Sequence, residues 1–131
     1  MKRDMELARA ILFALEEIGE HDPIPNPFII EGYDPKTVGH HVHLLAEAGL
    51  ITAISTKLLS DLTSQAMPRE LTWLGHDFID TMRSQEVWEK TKTAMKEVGG
   101  GSFGLMLEFG KKAAEGYLKA KLKEMTGIDL A

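Results

Sequence analysis

The chain opens with apolar residues at helical spacing. Between Arg3 and Gly19 they recur every three or four residues, which places them on one face of an α-helix. Gly19 is the expected end of that helix. The following HDPIPNP holds three prolines in five residues and predicts a loop, because proline is excluded from helix interiors. The short, aromatic and β-branched FIIEGY then predicts a strand.

A second helix is predicted to begin at Asp34. Asp34 can cap free backbone amides, and Pro35 suits the first helical position. Gly49 is the expected end of the helix. LITAIS then predicts a strand, KLLSDLTSQAMP a loop and RELTW a second strand, which together make a β-hairpin. The apolar stripe of the helix is Val38, Val42, Leu45 and Ala48.

The remaining residues predict three more helices. Thr72 can cap the first, Ser84 or Gln85 begins the second, and Ser102 can cap the third after the break at GGG, with Gly127 as its end. The expected apolar faces are Leu74, Phe78, Ile79 and Met82 in the first, Val87, Trp88, Thr91, Met95 and Val98 in the second, and a broad stripe from Phe103 to Met125 in the third.

This order of elements predicts an α+β fold with the layout of a winged helix. A helix ends at AGLI and leads into a small β-hairpin wing, and the hairpin closes into the packing helix of ELTWLGHDFI. We expect residues 1–83 to form the winged-helix domain. Residues 84–131 are expected to be a C-terminal helical extension used for dimerisation or packing.

The charge of the chain argues against a strongly nucleic-acid-binding surface. The net charge is −5, and the first fifty residues hold four lysines and arginines against nine carboxylates. Neutralisation of phosphates supplies most non-specific affinity for DNA. From Ser84 onward eight lysines face seven carboxylates, so a basic patch would lie at the C-terminal end.

The composition excludes several kinds of site and location. The 131 residues include no cysteine, which excludes disulfides and thiolate metal sites. No apolar run approaches the roughly 18 residues of a membrane span, and the first residues do not resemble a secretory signal peptide. A cytoplasmic location without membrane contact is expected. No glycine-rich phosphate loop or nucleophile motif is recognisable, so we expect no enzyme activity, catalytic residue or cofactor.

Two resemblances bear on these segments. VGHHVHLLAEAGLI resembles the recognition helix of arsenic-repressor-type winged helices, which typically reads SHHLKVLREAGLV; here Gly39 replaces a serine, His43 a lysine and Ala46 an arginine. MKRDMELARAIL, EGY, HHVHLLAEAGLI and RELTWLGHDFIDTMRSQEVWEKTK together resemble Domain of Unknown Function 2513, a family of small bacterial and prophage proteins. This resemblance implies a winged-helix-like fold and a phage or mobile-element setting, and it implies no activity.

The second helix carries the candidate DNA contacts. The N-terminal part of a recognition helix meets base edges in the major groove. Glycine there would allow close backbone approach, and cations of the wing would contact phosphates. The residues predicted to contact DNA are Lys36, Thr37, Gly39, His40 and His43 on the helix, Lys57 in the wing and Arg69 at its base.

The histidines of this helix have alternative interpretations. His40, His43 and Glu47 share a helical face and could contribute ligands to a metal. The alternative is that His40 and His43 are solvent-facing polar residues, with His41 at the border of the core and its hydrogen bonds satisfied. A lone helix rarely builds a structural zinc site, so we expect no metal.

Two segments are candidates for protein contacts. The wing loop carries Leu58, Leu59, Leu62 and Met67, which would mark a protein contact if exposed and would otherwise fold back on the domain. The last helix has an apolar face wide enough to need a partner, either its own domain or a second copy. The residues predicted to make the dimer or partner contact are Met106, Gly110, Ala114, Tyr117 and Leu118.

The sequence therefore leaves two alternative hypotheses for the function. The first is a prophage-type winged-helix transcriptional regulator, dimeric and bound to duplex DNA. The second is an acidic winged-helix module that binds a host or phage protein and does not bind DNA. They differ in the surface around the 35–47 helix, which must be exposed and not negative for the first to hold.

Overall fold

The computed structural model describes residues 2–19, 21–25, 28–57, 64–99 and 103–127, with backbone alone for 55–57, 64–65, 103 and 107. These residues form an α+β arrangement of five helices and one two-stranded antiparallel hairpin. The chain divides into two compact units, Met1–Ile79 and Asp80–Ala131. The elements in chain order are α1 (Met5–Glu17), α2 (Pro35–Glu47), β1 (Ile51–Lys57), β2 (Ser64–Leu71), α3 (Trp73–Met82), α4 (Gln85–Glu97) and α5 (Phe103–Thr126).

Helix α1 lies within the predicted range but ends at Glu17, before the expected end at Gly19, and the outer members of the predicted apolar stripe, Met5 and Ile18, are only half-buried. Its N-cap is Asp4, whose Oδ1 accepts hydrogen bonds from the amides of Glu6 at 3.0 Å and Leu7 at 3.2 Å. Such a cap satisfies amides that have no partner in the helix. The buried face of α1 consists of Leu7, Ala8, Ile11, Leu12 and Leu15.

Helix α2 begins and ends as its sequence predicts. Asp34 Oδ1 accepts from the amide of Lys36 at 2.9 Å, and Pro35 occupies the first turn. Gly49, with φ of +81°, adopts the left-handed conformation that follows many helices. Val38, His41, Val42 and Leu45 form the buried face.

The prediction of a strand at FIIEGY is wrong. Residues 28–30 have no regular secondary structure, and 31–33 form a turn in which the amide of Tyr33 donates to the carbonyl of Ile30. Gly32 has φ of +88° in this turn. A strand needs a neighbouring strand for its backbone hydrogen bonds. In the described part of the chain, β1 and β2 pair only with each other.

The hairpin begins its second strand earlier than predicted. β2 starts at Ser64, so residues 64–68 belong to a strand and not to the predicted loop, and Trp73 belongs to α3 and not to the strand. Pairing runs from Ile51 opposite Leu71 to Lys57 opposite Ser64. Pro68 is tolerated because each strand of a two-stranded sheet has a free edge. The hairpin was expected; its extent was not.

A β-bulge interrupts the hairpin. Thr52 pairs with Glu70, and the next residue, Ala53, pairs with Pro68, which leaves Arg69 without a partner on β1. An extra residue of this kind bends the strand and changes the direction of its side chains. The bulge determines where Arg69 and its neighbours point.

A compact corner joins the end of α2 to the start of α3. The Thr72 hydroxyl donates to the carbonyl of Gly49 and accepts from the amide of Gly75 at 3.1 Å, so the predicted cap at Thr72 is confirmed. The Thr72 amide donates to the carbonyl of Leu50. A Cβ at Gly75 would overlap that same carbonyl oxygen. Helix α3 can therefore begin here only because residue 75 has no side chain.

The C-terminal unit follows most of its predicted pattern. Ser84 caps α4, and the predicted face of Val87, Trp88, Thr91 and Met95 is buried. Val98 is exposed, because α4 ends at Glu97. Gly127, with φ of +72°, ends α5 as predicted, while Ser102 lies outside the described residues. None of the helices in the described ranges has both the length and the hydropathy that a membrane crossing requires.

We expect the substitution Gly75→Ala to destabilise the fold by about 1–3 kcal/mol, the range for an overpacked site. The atom that the new Cβ would meet is a backbone oxygen, which cannot rotate away. Urea unfolding followed by circular dichroism measures the change.

The matched control is Gly39→Ala, also inside a helix. A Cβ there meets nothing within 4 Å. Its higher helix propensity should therefore stabilise the chain by up to about 1 kcal/mol. Equal unfolding midpoints for the two variants would contradict the proposed close approach of Gly75 to Leu50.

Candidate functional site

The solvent-facing side of α2 carries the predicted DNA contacts. Lys36 and His43 are exposed, and Thr37, Gly39 and His40 are half-buried. Residues 36, 40, 43 and 47 recur at helical spacing and share this face. His43 Nε2 lies 3.2 Å from Glu47 Oε1, so a carboxylate accompanies one of the few groups on this face that can carry positive charge.

The buried side of α2 holds His41, which is 2% exposed. The backbone amide of Asp4 donates to its Nε2 at 2.8 Å, and Nδ1 lies 2.8 Å from the carbonyl oxygen of Thr37. Because an amide can only donate, Nε2 is the acceptor and the proton of a neutral ring is on Nδ1. The prediction of a core-border histidine with satisfied hydrogen bonds is confirmed, and His41 is not available to a ligand.

Asp4 connects three segments of the N-terminal unit. Its carboxylate caps α1, its amide binds His41 of α2, and its side chain also hydrogen-bonds Tyr33 in the turn before α2. Desolvation raises the pKa of Tyr33, and the negative charge and hydrogen bond of Asp4 and the charge of Glu6 raise it further. The position of α2 therefore depends on the first turn of α1.

The side chains of His40, His43 and Glu47 are not grouped around one point in this structure. The residues that the structure describes contain no group of three or more His, Cys, Asp or Glu side chains arranged to hold a metal ion. His43 contacts Glu47. The His40 ring instead lies edge-on to the ring of His41, with centroids 5.9 Å apart.

Charge differs between the two units. Residues 1–79 contain six lysines and arginines against twelve aspartates and glutamates, whereas residues 80–131 contain nine against eight. The unit that carries α2 and the hairpin is thus the acidic one. A long-range field of this sign repels phosphate.

Of the two predicted DNA contacts in the hairpin, Lys57 and Arg69, the structure describes the side chain of Arg69 alone. Lys57 ends β1, and its side chain lies outside the described residues. Arg69 is exposed at the bulge and lines a cleft of about 740 Å³. We call this the α1–β2 cleft. Its lining residues are Leu15, Glu16, Ile18, Gly19, His21, Asp22, Ile24, Arg69, Glu70, Leu71 and His76.

An exposed tryptophan is the feature that the sequence analysis missed. Trp73 is 84% exposed, although it begins a helix with a buried face. The signal that could have revealed it is the Thr72 cap, which makes Trp73 the first residue of α3. The apolar face of α3 is carried by Phe78, Ile79 and Met82, and Trp73 is not among those buried residues.

The predicted wing contacts remain largely outside the described residues. Leu58, Leu59 and Leu62 lie there. Met67, which is described, is half-buried and pairs with Ile54 of β1. Exposure of the wing leucines therefore stays a prediction.

The predicted dimer contacts divide along α5. Met106 and Gly110 are buried, and a Cβ on Gly110 would overlap Met82 of the same unit, so these two positions are covered by their own chain. Further along, Ala114 and Tyr117 are half-buried and Leu118 is 58% exposed. The physical reason is length. α5 has 24 residues and α4 has 13, or about 36 Å and 20 Å at 1.5 Å per residue, so α4 cannot cover all of α5.

Comparison with known proteins identifies relatives without a stated activity. The family model described as "Hypothetical protein (DUF2513)" matches residues 2–102. The chain is also similar to an "Uncharacterized protein" of Haemophilus influenzae (strain ATCC 51907 / DSM 11121 / KW20 / Rd), with 38% identity over 115 residues that cover 88% of this chain and 93% of the other. No solved structure matches the chain significantly.

We expect His41→Ala to destabilise the chain by about 2–3 kcal/mol. The substitution leaves the Asp4 amide without its acceptor and leaves a cavity where the ring was. Thermal unfolding at neutral pH measures the loss. His41→Leu keeps much of the buried volume but not the acceptor, so it separates the hydrogen bond from packing.

The matched control is His43→Ala on the exposed side of the same helix. It should change stability by no more than about 0.5 kcal/mol. If His41→Leu unfolds at the temperature of the unmodified chain, the Asp4 hydrogen bond contributes nothing and the assignment of His41 as a structural residue fails.

Proposed function

The chain belongs to the family described as Hypothetical protein (DUF2513), and we propose that its N-terminal unit is a winged-helix-like module that binds another protein. The order α1, α2, β-hairpin, α3 is compatible with such a fold. In that arrangement α2 occupies the place of a recognition helix and the hairpin the place of the wing. The family itself contributes no activity, so the proposal rests on the surface.

The observation that carries the proposal is the exposure of Trp73. An indole that is 84% exposed leaves a large apolar area in water. Tryptophan is also the residue most enriched among those that dominate binding energy at protein interfaces. Leu74, the next residue, is partly exposed as well. A partner that covers Trp73 removes this area from water.

The surface of α2 favours a protein over DNA. Lys36 is the only lysine or arginine on the helix, and His43 is accompanied by Glu47. The amide of Lys36 is occupied by the carboxylate of Asp34. That carboxylate puts negative charge where a phosphate would otherwise bind a helix N-terminus. An arginine or asparagine for bidentate recognition of a base is absent from the helix.

A DNA-binding regulator is the second candidate. The observation in its favour is that Lys36 and His43 are exposed and share a face with Thr37 and His40 half-buried beside them. In this alternative the same face enters the major groove. The two candidates require different surfaces, so one pair of variants distinguishes them.

We expect Trp73→Ala to weaken binding to peptides selected from a random displayed library by about tenfold or more, as for an interface hot spot. Anisotropy of a fluorescein-labelled peptide measures the affinity of both chains, and the intrinsic fluorescence of the unmodified chain reports the environment of Trp73. Trp88 is buried, so a blue shift on peptide addition arises from Trp73 as it leaves water.

The control is Lys36→Ala, which should leave peptide binding unchanged. In parallel, mixed-sequence duplex DNA at about 50 mM and 200 mM salt should show no shift in a gel. Salt-sensitive DNA binding that disappears in Lys36→Ala, together with peptide binding that is indifferent to Trp73, would reject the proposal in favour of the regulator.

We also propose that two copies of the chain associate through the second half of α5. Leu118 and Met125, at 58% and 80% exposure, are seven residues apart and share one face with Ala114. This spacing is that of helices that pair along a seam. The face lies beyond the reach of α4, and a second copy of the same face would cover it.

We expect Leu118→Glu to convert a dimer into a monomer, because it places a charge in the middle of the seam. Size-exclusion chromatography with light scattering measures the mass. Ala120→Glu introduces the same charge on an exposed position away from the seam and should leave the mass unchanged. A monomeric unmodified chain at high micromolar concentration would contradict the assignment.

A further inference from the structure

The α1–β2 cleft has the size of a specific binding pocket. Its volume of about 740 Å³ lies in the range of sites that enclose small molecules or single side chains with their flanking groups. It is formed within the N-terminal unit by the end of α1, the segment after it, β2 and α3.

The lining of the cleft is amphipathic. Apolar side chains come from Leu15, Ile18, Ile24 and Leu71. Carboxylates come from Glu16, Asp22 and Glu70, against one guanidinium from Arg69. Two histidines complete the polar set, His21 and His76. Glu16 has an interaction of its own, and the carboxylates of Asp22 and Glu70 still outnumber the single guanidinium, so the cleft favours a cation.

A β-bulge lies in the stretch of β2 that lines the cleft. In a regular strand, successive side chains point to opposite faces. Here three consecutive residues, Arg69, Glu70 and Leu71, all contribute to the lining. The bulge at Arg69 breaks the alternation. Bulges that redirect side chains in this way are common beside binding sites.

The exposed tryptophan of α3 belongs to the same region. His76 lines the cleft, and Trp73 precedes it by three residues on α3. Residues three apart on a helix are neighbours on its surface. Trp73 therefore lies beside the cleft, where the face of an indole can stack on a cation or on its aliphatic stem.

We propose that the α1–β2 cleft binds a lysine or arginine side chain of the protein partner. The aliphatic stem lies along the apolar lining, and the charged head meets the carboxylates of Asp22 and Glu70. Long cationic side chains have the required combination of an apolar stem and a polar end. This inference rests on the proposed protein-binding function and names the chemistry that the partner presents beside Trp73.

The test is fluorescence anisotropy with a fluorescein-labelled short peptide of alternating lysine and leucine. A matched peptide with glutamine in place of lysine is expected to bind more weakly. We expect Glu70→Gln and Asp22→Asn each to lower the affinity for the lysine peptide by about two- to fivefold, the range for exposed ion pairs. Arg69→Gln removes the like charge and is expected to leave affinity unchanged or to raise it.

The control is Glu31→Gln, which removes one exposed carboxylate outside the cleft. The three carboxylate substitutions replace a charged group by an amide of the same size. Equal weakening by Glu31→Gln and Glu70→Gln overturns the inference, because binding then follows bulk charge. Loss of binding in Arg69→Gln with no loss in the carboxylate variants also overturns it and identifies an anion site.

The outcomes for the inference and for the proposed function are separable. If Trp73→Ala abolishes binding of library-selected peptides while Glu70→Gln and Asp22→Asn change nothing, the cleft is not the pocket and the protein-binding function stands. If neither Trp73 nor the carboxylates affect any peptide, both are overturned. Weakening by both sets of variants, with Glu31→Gln silent, supports both.

Discussion

The hydrogen bond from the Asp4 amide to His41 holds together the two helices on which the N-terminal unit depends. In a common capping box, the third residue of the helix accepts from the amide of the N-cap. That position is Leu7 here, and a leucine side chain has no hydrogen-bond acceptor. His41 supplies the acceptor from α2. The start of α1 is thus completed by a tertiary contact, and the same contact fixes the rotation of α2. Val38, Val42 and Leu45 are buried on the same face as His41, and the opposite face presents Lys36, His40 and His43.

A second constraint operates at the corner between α2 and α3. The Thr72 hydroxyl and amide, the carbonyls of Gly49 and Leu50, and the absence of a side chain at Gly75 bring three elements together in a short stretch. This corner determines where α3 begins. Because α3 begins at residue 73, its first side chain remains in solvent while Phe78 and Ile79 enter the core. The corner and the bulge at Arg69 together place a tryptophan, an arginine and a carboxylate in one region.

The distribution of charge bears on whether these surfaces suit DNA or protein. A winged-helix-like order of elements alone does not imply DNA binding, since function depends on the site and not on the fold. Here the unit that would face DNA is acidic, and the N-terminal turn of α2 is already neutralised by Asp34. An acidic surface with an exposed indole suits a basic protein segment better than a phosphate backbone. The second half of α5, with Leu118 and Met125 exposed, is a second apolar surface, distinct from the one around Trp73.

The sequence by itself determined the helices, the caps at Asp34, Thr72 and Ser84 and most of the core, because these depend on local spacing and on single residues such as Gly49 and Gly127. It also determined the family, through segments that span most of the chain. Only the tertiary structure decided that Phe28–Tyr33 is no strand, because a strand exists only if another strand is there to pair with it. Only tertiary structure decided the bulge at Arg69, which is a matter of register between two strands, and the exposure of Trp73, which depends on what packs against the first turn of α3. The candidate site lies in these non-local features, and a pattern along one chain does not contain them.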